Sequence, residues 1–222
     1  MNLRTPLIGS AFLIGLSLAA SIWAWPHLGD APIATHFGVD GRPNGYMSKG
    51  PALLFMPVMA LGLCGLFAGL PAVMPPNGRL ERSWGPYVTV WLGVLALLAA
   101  THLAILGLAL GLPVDIPRVS VFGVGALMAV IGNLLGKVRY NYVFGVRTPW
   151  TLSNERVWDR THRFAGRMLM AGSLVIMAAA LLTPAAFASG LYLVILAGVL
   201  VPAILSVGYS YLESRRVETG PN

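Results

Sequence analysis

From Met168 to Leu212 the chain carries no charged residue. Such a stretch has no polar face to turn to water. It is also far longer than the roughly 20 apolar residues that one membrane-spanning helix needs. The segment TPAAFASG (183–190) interrupts it with proline, serine and glycine, which mark a turn. Two spans result, Phe164–Leu182 and Leu191–Leu212. The rest of the chain reads the same way, with further uncharged runs at Pro6–Trp25, Pro51–Met74, Pro86–Leu112 and Val119–Gly136. Charged residues make up 10% of the chain, against about 25% in soluble domains. Too few charges are present to cover a soluble surface. The expected fold is an all-α, polytopic bundle of six transmembrane helices. The first run is expected to be a span and not a signal peptide, because it is long and lacks a small-residue cleavage site.

Lysine and arginine then orient the bundle. On the side of the termini lie Arg4, Arg79, Arg82, Lys137, Arg139, Arg147, Arg156, Arg160, Arg163, Arg167, Arg215 and Arg216. The opposite side has Arg42, Lys49 and Arg118. The bias predicts cytoplasmic N and C termini in the cell (inner) membrane. It also accounts for the net charge of +7 as an orientation signal, with anionic lipid as a contact and no direct nucleic-acid binding. The single Cys64 sits in an apolar run and forms no internal disulfide or CxxC metal motif. Two regions are expected. Residues 1–75 hold two helices and a folded extracytoplasmic loop (26–50). Residues 76–222 hold four helices and a cytoplasmic cassette (137–167).

In the loop, Asp40-Gly41 and Asn44-Gly45 favour turns with positive φ, so a compact structure is expected. Trp25 and Tyr46 suit the membrane interface. His27, Asp30, His36 and Asp40 could be metal ligands, but their spacing matches no ligand motif.

The cassette contains NYVFGVRTPWTLSNERVWDRTHR (141–163). RTPW should be extended, since the residue before proline avoids the helical region. A helix should restart near Ser153 or Asn154, either of which can cap it, and run into the fifth span. On it, Arg156, Arg160, Arg163 and Arg167 share one stripe. Glu155, Asp159 and His162 share another, and Asp159 can pair with Arg163. Three readings fit. Arginines could snorkel while Trp150 and Trp158 anchor at the headgroups. The segment could be a platform for a protein partner. Glu155, Asp159 and His162 could form a metal or proton site. Within the spans, His102 and Asn133 are the notable polar side chains. Each is either interhelical glue or functional. Gly132 and Gly136 form a small-xxx-small packing face.

The segment 132–166 closely resembles the signature of the SdpI family of bacterial membrane proteins. The resemblance is carried by Gly132, Asn133, Asn141, Gly145, Arg147, Thr148, Pro149, Trp150, Thr151, Trp158, Thr161, His162 and Gly166. Residues 32–49 resemble a domain of unknown function that often precedes it, through Pro32, His36, Phe37, Gly41, Asn44, Gly45, Tyr46 and Lys49. The resemblance implies a non-enzymatic protein without cofactors. It implies immunity to a secreted peptide toxin met by the outer loop, and a cytoplasmic transcriptional repressor held by the cassette. The partner site would then comprise Asn141, Arg147, Thr148, Pro149, Trp150, Thr151, Trp158 and His162. A small transporter using His102 and Asn133 is the alternative, although the spans lack acidic residues for coupling and no inverted repeat is visible. A membrane enzyme built on Glu155 and Asp159 lacks a nucleophile–base pair and ranks last.

Overall fold

The computed structural model describes residues 1–38, 40–73, 80–183 and 188–219. Six helices are long and apolar enough to cross a membrane. They are α1 (Arg4–Ala24), α2 (Lys49–Gly69), α3 (Trp84–Ala109), α4 (Ile116–Leu135), α6 (Glu155–Leu182) and α7 (Ala188–Thr219). A short helix, α5 (Pro149–Ser153), precedes α6. The antiparallel strands β1 (Ile33–Phe37) and β2 (Pro43–Met47) join α1 to α2. The helix limits lie within a few residues of the uncharged runs, except that α6 and α7 extend well into charged sequence. Arg79, Met74 and the turn residues 184–187 lie outside the described residues.

Small residues set the closest approaches. A Cβ on Gly166 would stand 2.6 Å from the Gly132 carbonyl oxygen, so α4 and α6 meet backbone to backbone. Gly172 and Gly198 bring α6 and α7 equally close, since a Cβ on Gly172 would collide with the Gly198 carbonyl oxygen. α3 packs on α1 and α2 as well as on α4, joining the two halves of the chain. Trp91 of α3 stacks on Phe67 of α2 while Tyr87 meets that ring edge-on, and the Tyr87 hydroxyl donates to the Phe67 carbonyl at 2.7 Å.

The bundle has two unlike ends. At one, the hairpin rests on an apolar cluster that includes Leu28, Ile33, Leu53, Ile105 and Ile116. At the other, the 137–154 segment folds back over the starts of α3 and α6 and the end of α7. Ser83 Oγ accepts the Arg139 N–H at 2.9 Å, and Thr148 Oγ1 meets Ser210 Oγ at 3.1 Å. Both described termini lie at this second end, as an even number of spans requires.

Candidate functional site

The cassette begins where α4 ends. Asn141 is fully buried and shapes the first turn: its Oδ1 accepts the N–H groups of Val143 and Phe144 at 2.7 and 3.0 Å. Its Nδ2 donates to the Arg139 carbonyl. A side chain that satisfies three backbone groups makes an Asx-type turn and removes the need for water. Gly145 follows with φ of 123°, a conformation that disfavours any other residue. A Cβ there would collide with His162 Nε2.

His162 is the hub. Its Nε2 accepts the Val146 N–H at 3.0 Å, and its Nδ1 donates to the Trp158 carbonyl at 2.9 Å. One nitrogen accepts while the other donates, which is the pattern of the neutral ring. Trp158 stacks on it with ring centroids 4.0 Å apart. The indole N–H reaches back to the Val138 carbonyl at 2.9 Å. Neither ring is exposed.

The order TPWT is a helix start. Thr148 is extended, as expected before proline, but Pro149 opens α5 and does not continue an extended segment. Thr148 and Thr151 cap each other reciprocally, and proline at the first helical position loses no hydrogen bond. Thr151 Oγ1 also donates to the Val146 carbonyl at 2.8 Å. Trp150 lies edge-on to Tyr211 of α7, with centroids 5.1 Å apart. Asn154 then caps α6 by accepting from Arg156 and Val157.

Several expectations change here. Trp158 is not an interfacial anchor, because its ring is sealed under the cassette. Asp159 faces Arg139 at 3.9 Å, not Arg163. Glu155, Asp159 and His162 do not converge, since His162 turns inward. No cluster of potential metal ligands occurs among the described residues. Of the proposed partner residues, Asn141, Thr148, Thr151, Trp158 and His162 are buried and spent on internal bonds. Only Arg147, Pro149 and part of Trp150 reach the surface. Glu213 is the main residue missed. It is a carboxylate 1% exposed, bonded to Arg160 and 3.6 Å from Arg216. Its place after a long uncharged run was the available signal.

At the other end the polar groups point outward. Asp40 Oδ1 accepts the Arg42 N–H, and Gly41 takes φ of 76° at the hairpin tip. Asn44-Gly45 lies inside β2 and not in a turn. Gly45 faces His36, where a Cβ would stand 2.8 Å from the His36 Cβ. His36 Nδ1 bonds Asn44 Oδ1 across the pair. Pro32, His36, Asn44 and Tyr46 are exposed, while Phe37, Gly41 and Gly45 are half-covered. Lys49 clamps the base: its ammonium donates to the Leu28 carbonyl at 2.7 Å and lies 5.0 Å from the Trp25 ring centre.

The two intramembrane polar residues separate. His102 is 1% exposed, and its Nε2 meets Ser21 Oγ at 2.8 Å. The same hydroxyl donates to the Leu53 carbonyl, so one node ties α1, α2 and α3. Asn133 is exposed on α4, facing a groove toward α6 and α7, and is not glue between helices.

Residues 137–210 match the SdpI/YfhL protein family, and residues 12–61 match the domain of unknown function DUF1648. The SdpI match covers about a third of the chain and is a likeness over that part. The curated "Immunity protein SdpI" of Bacillus subtilis (strain 168) is 35% identical over 121 residues, which is 54% of this chain and 55% of that protein. The match therefore spans about half the length of the curated relative. No solved structure matches. The SdpI match begins at the cassette and ends at Ser210, the residue that holds Thr148. The DUF1648 match contains both strands of the hairpin. Each matched segment thus contains one folded end of the bundle together with the helices that carry it.

Proposed function

We propose that this membrane protein, like the SdpI proteins it resembles, confers immunity to a secreted peptide toxin, with the hairpin as the surface that meets it. The similarity to the Bacillus immunity protein carries this reading. The lysine and arginine bias places the cassette in the cytoplasm and the hairpin outside. The loop of residues 1–75 then forms the toxin-facing part and the cassette of residues 76–222 the inner part. The hairpin supports the assignment because His36, Asn44 and Tyr46 are displayed on a fixed two-stranded frame. Preorganised polar and aromatic groups cost little entropy on binding.

A relay to a transcriptional repressor is a finer part of the same proposal. It would use Arg147, Pro149 and Trp150, the cassette residues left at the surface. An outer ligand changes affinity at the inner face only if it favours one of two bundle states. The transporter alternative needs His102 and Asn133 in one cavity, and one is sealed among α1–α3 while the other is exposed on α4.

The test is survival of a toxin-sensitive host expressing the protein. Protection by the wild type, reduced by His36→Ala with Tyr46→Ala at equal membrane abundance, supports the proposal. Full protection by that double variant removes the hairpin from the mechanism. No protection by the wild type removes immunity to that toxin.

A further inference from the structure

A groove of about 680 Å³ runs between α4, α6 and α7 at the cassette end. Four arginines line it: Arg160, Arg163, Arg167 and Arg216. One carboxylate, Glu213, is present and is already held by Arg160 and Arg216. Arg163 and Arg167 are exposed, and among the described residues neither has a carboxylate within salt-bridge reach. Arg167 Nε donates to the Arg163 carbonyl at a long 3.4 Å. Two guanidinium groups one helical turn apart therefore face the same space without a counter-charge.

The floor is nearly bare. Gly132 and Gly166 pack there backbone to backbone, and Gly136 lies open, its missing Cβ 3.4 Å from the Arg163 side chain. A Cβ at Gly132 or Gly166 would strike the facing helix backbone, whereas a larger residue at Gly136 would enter the groove beside Arg163. The depth along the helices is also specific. Arg167 is the last charge before the uncharged run that starts at Met168, and Met170 and Tyr209 close the groove on that side. The site lies where the charged part of the bundle meets its apolar part, which is the level of lipid phosphates. Guanidinium forks match phosphate oxygens in geometry as well as charge.

We propose that this groove binds the phosphate headgroup of an anionic membrane phospholipid, held by Arg163 and Arg167 over the glycine floor. The acyl chains run down past Met170 beside α6. The buried Glu213 keeps Arg160 and Arg216 in place as the groove wall and offers no charge to the ligand. The site depends on the bundle lying in a membrane, and not on the immunity proposal. A failure of one leaves the other standing.

The test uses the full-length protein in neutral detergent, with phosphatidylglycerol and phosphatidylcholine supplied equally and adducts counted by native mass spectrometry. The wild type should retain phosphatidylglycerol with about tenfold preference. Arg163→Gln with Arg167→Gln should remove most of that preference. Gly136→Leu should also lower it, by filling the floor without altering charge. Arg147→Gln with Arg156→Gln removes as much charge from the same end outside the groove and should leave the preference intact. The proposal is overturned if the groove pair and the outside pair act alike, or if the wild type shows no preference. Displacement of the lipid by millimolar inorganic phosphate would also overturn it, because the site would then serve a free anion.

Discussion

The two ends of this bundle use polar residues in opposite ways. In the cassette, Asn141, Thr148, Thr151, Trp158 and His162 turn inward and bond to backbone. In the hairpin, His36, Asn44 and Tyr46 turn outward. A dense polar motif is therefore not by itself a binding surface. Most of the order GVRTPWT serves folding: a left-handed glycine against an imidazole, then a cap, a proline and a second cap, with Arg147 left at the surface. The hairpin is held by its tip, its Lys49 clamp and the apolar cluster under Ile33, so its exposed side chains are available for recognition. Substitutions in the cassette should act on stability first, and those in the hairpin on function first.

The largest effect is expected at Trp158. Truncating a fully buried tryptophan costs about 3–5 kcal/mol. Trp158→Ala also leaves the Val138 carbonyl unpaired and takes away the ring on which His162 stacks. Thermal unfolding in detergent should show a large loss, and membrane abundance should fall. A variant as stable as the wild type would mean that the cassette is not a folded cap.

Gly145→Ala comes next. Forcing a side chain into that backbone region costs about 1–3 kcal/mol, and its Cβ would meet His162. Gly136→Ala is the matched control, because its Cβ reaches Arg163 Cγ only at 3.4 Å, where a small adjustment suffices. The contrast between the two glycines should survive in any stability measurement. His162→Ala should fall in the same range, about 1–3 kcal/mol, by stranding the Val146 N–H.

Much of this architecture was legible from the residues. Hydrophobic run lengths located all six spans, because a bilayer forces helices of known length. Asp40-Gly41 and Asn44-Gly45 both marked turns in a compact loop, and the first of them is the turn at the hairpin tip. The inward turn of the cassette was not legible. Hydropathy treats asparagine, threonine and histidine as surface residues, and it has no knowledge of partners far along the chain. His162 is satisfied by Val146, and Thr148 by Ser210, across 16 and 62 residues. Trp158 looked like an interfacial anchor for the same reason, since the carbonyl that satisfies its N–H belongs to a segment 20 residues earlier. Glu213 gave the clearest missed warning. A lone acid just beyond an apolar run has to find a cation, and Arg160 was the nearest class of answer.

The smallest effect on stability is expected in the hairpin. His36→Ala and Tyr46→Ala remove exposed side chains, and surface changes of this kind usually stay within about 0.5 kcal/mol. His36 gives up its bond to Asn44, but water can replace that partner at an exposed site. Unfolding of the full-length protein in detergent should hardly shift for either variant. If the hairpin is the surface that meets a toxin, protection of the sensitive host should nevertheless drop. That combination separates recognition from folding more sharply than any cassette substitution, because every inward-facing cassette residue alters both at once. Arg147→Ala offers the converse check. Its side chain is exposed within the folded cassette, so stability should hold and toxin protection should persist. Loss of protection on that change alone would move the recognition surface to the cassette end and reverse the contrast between the two.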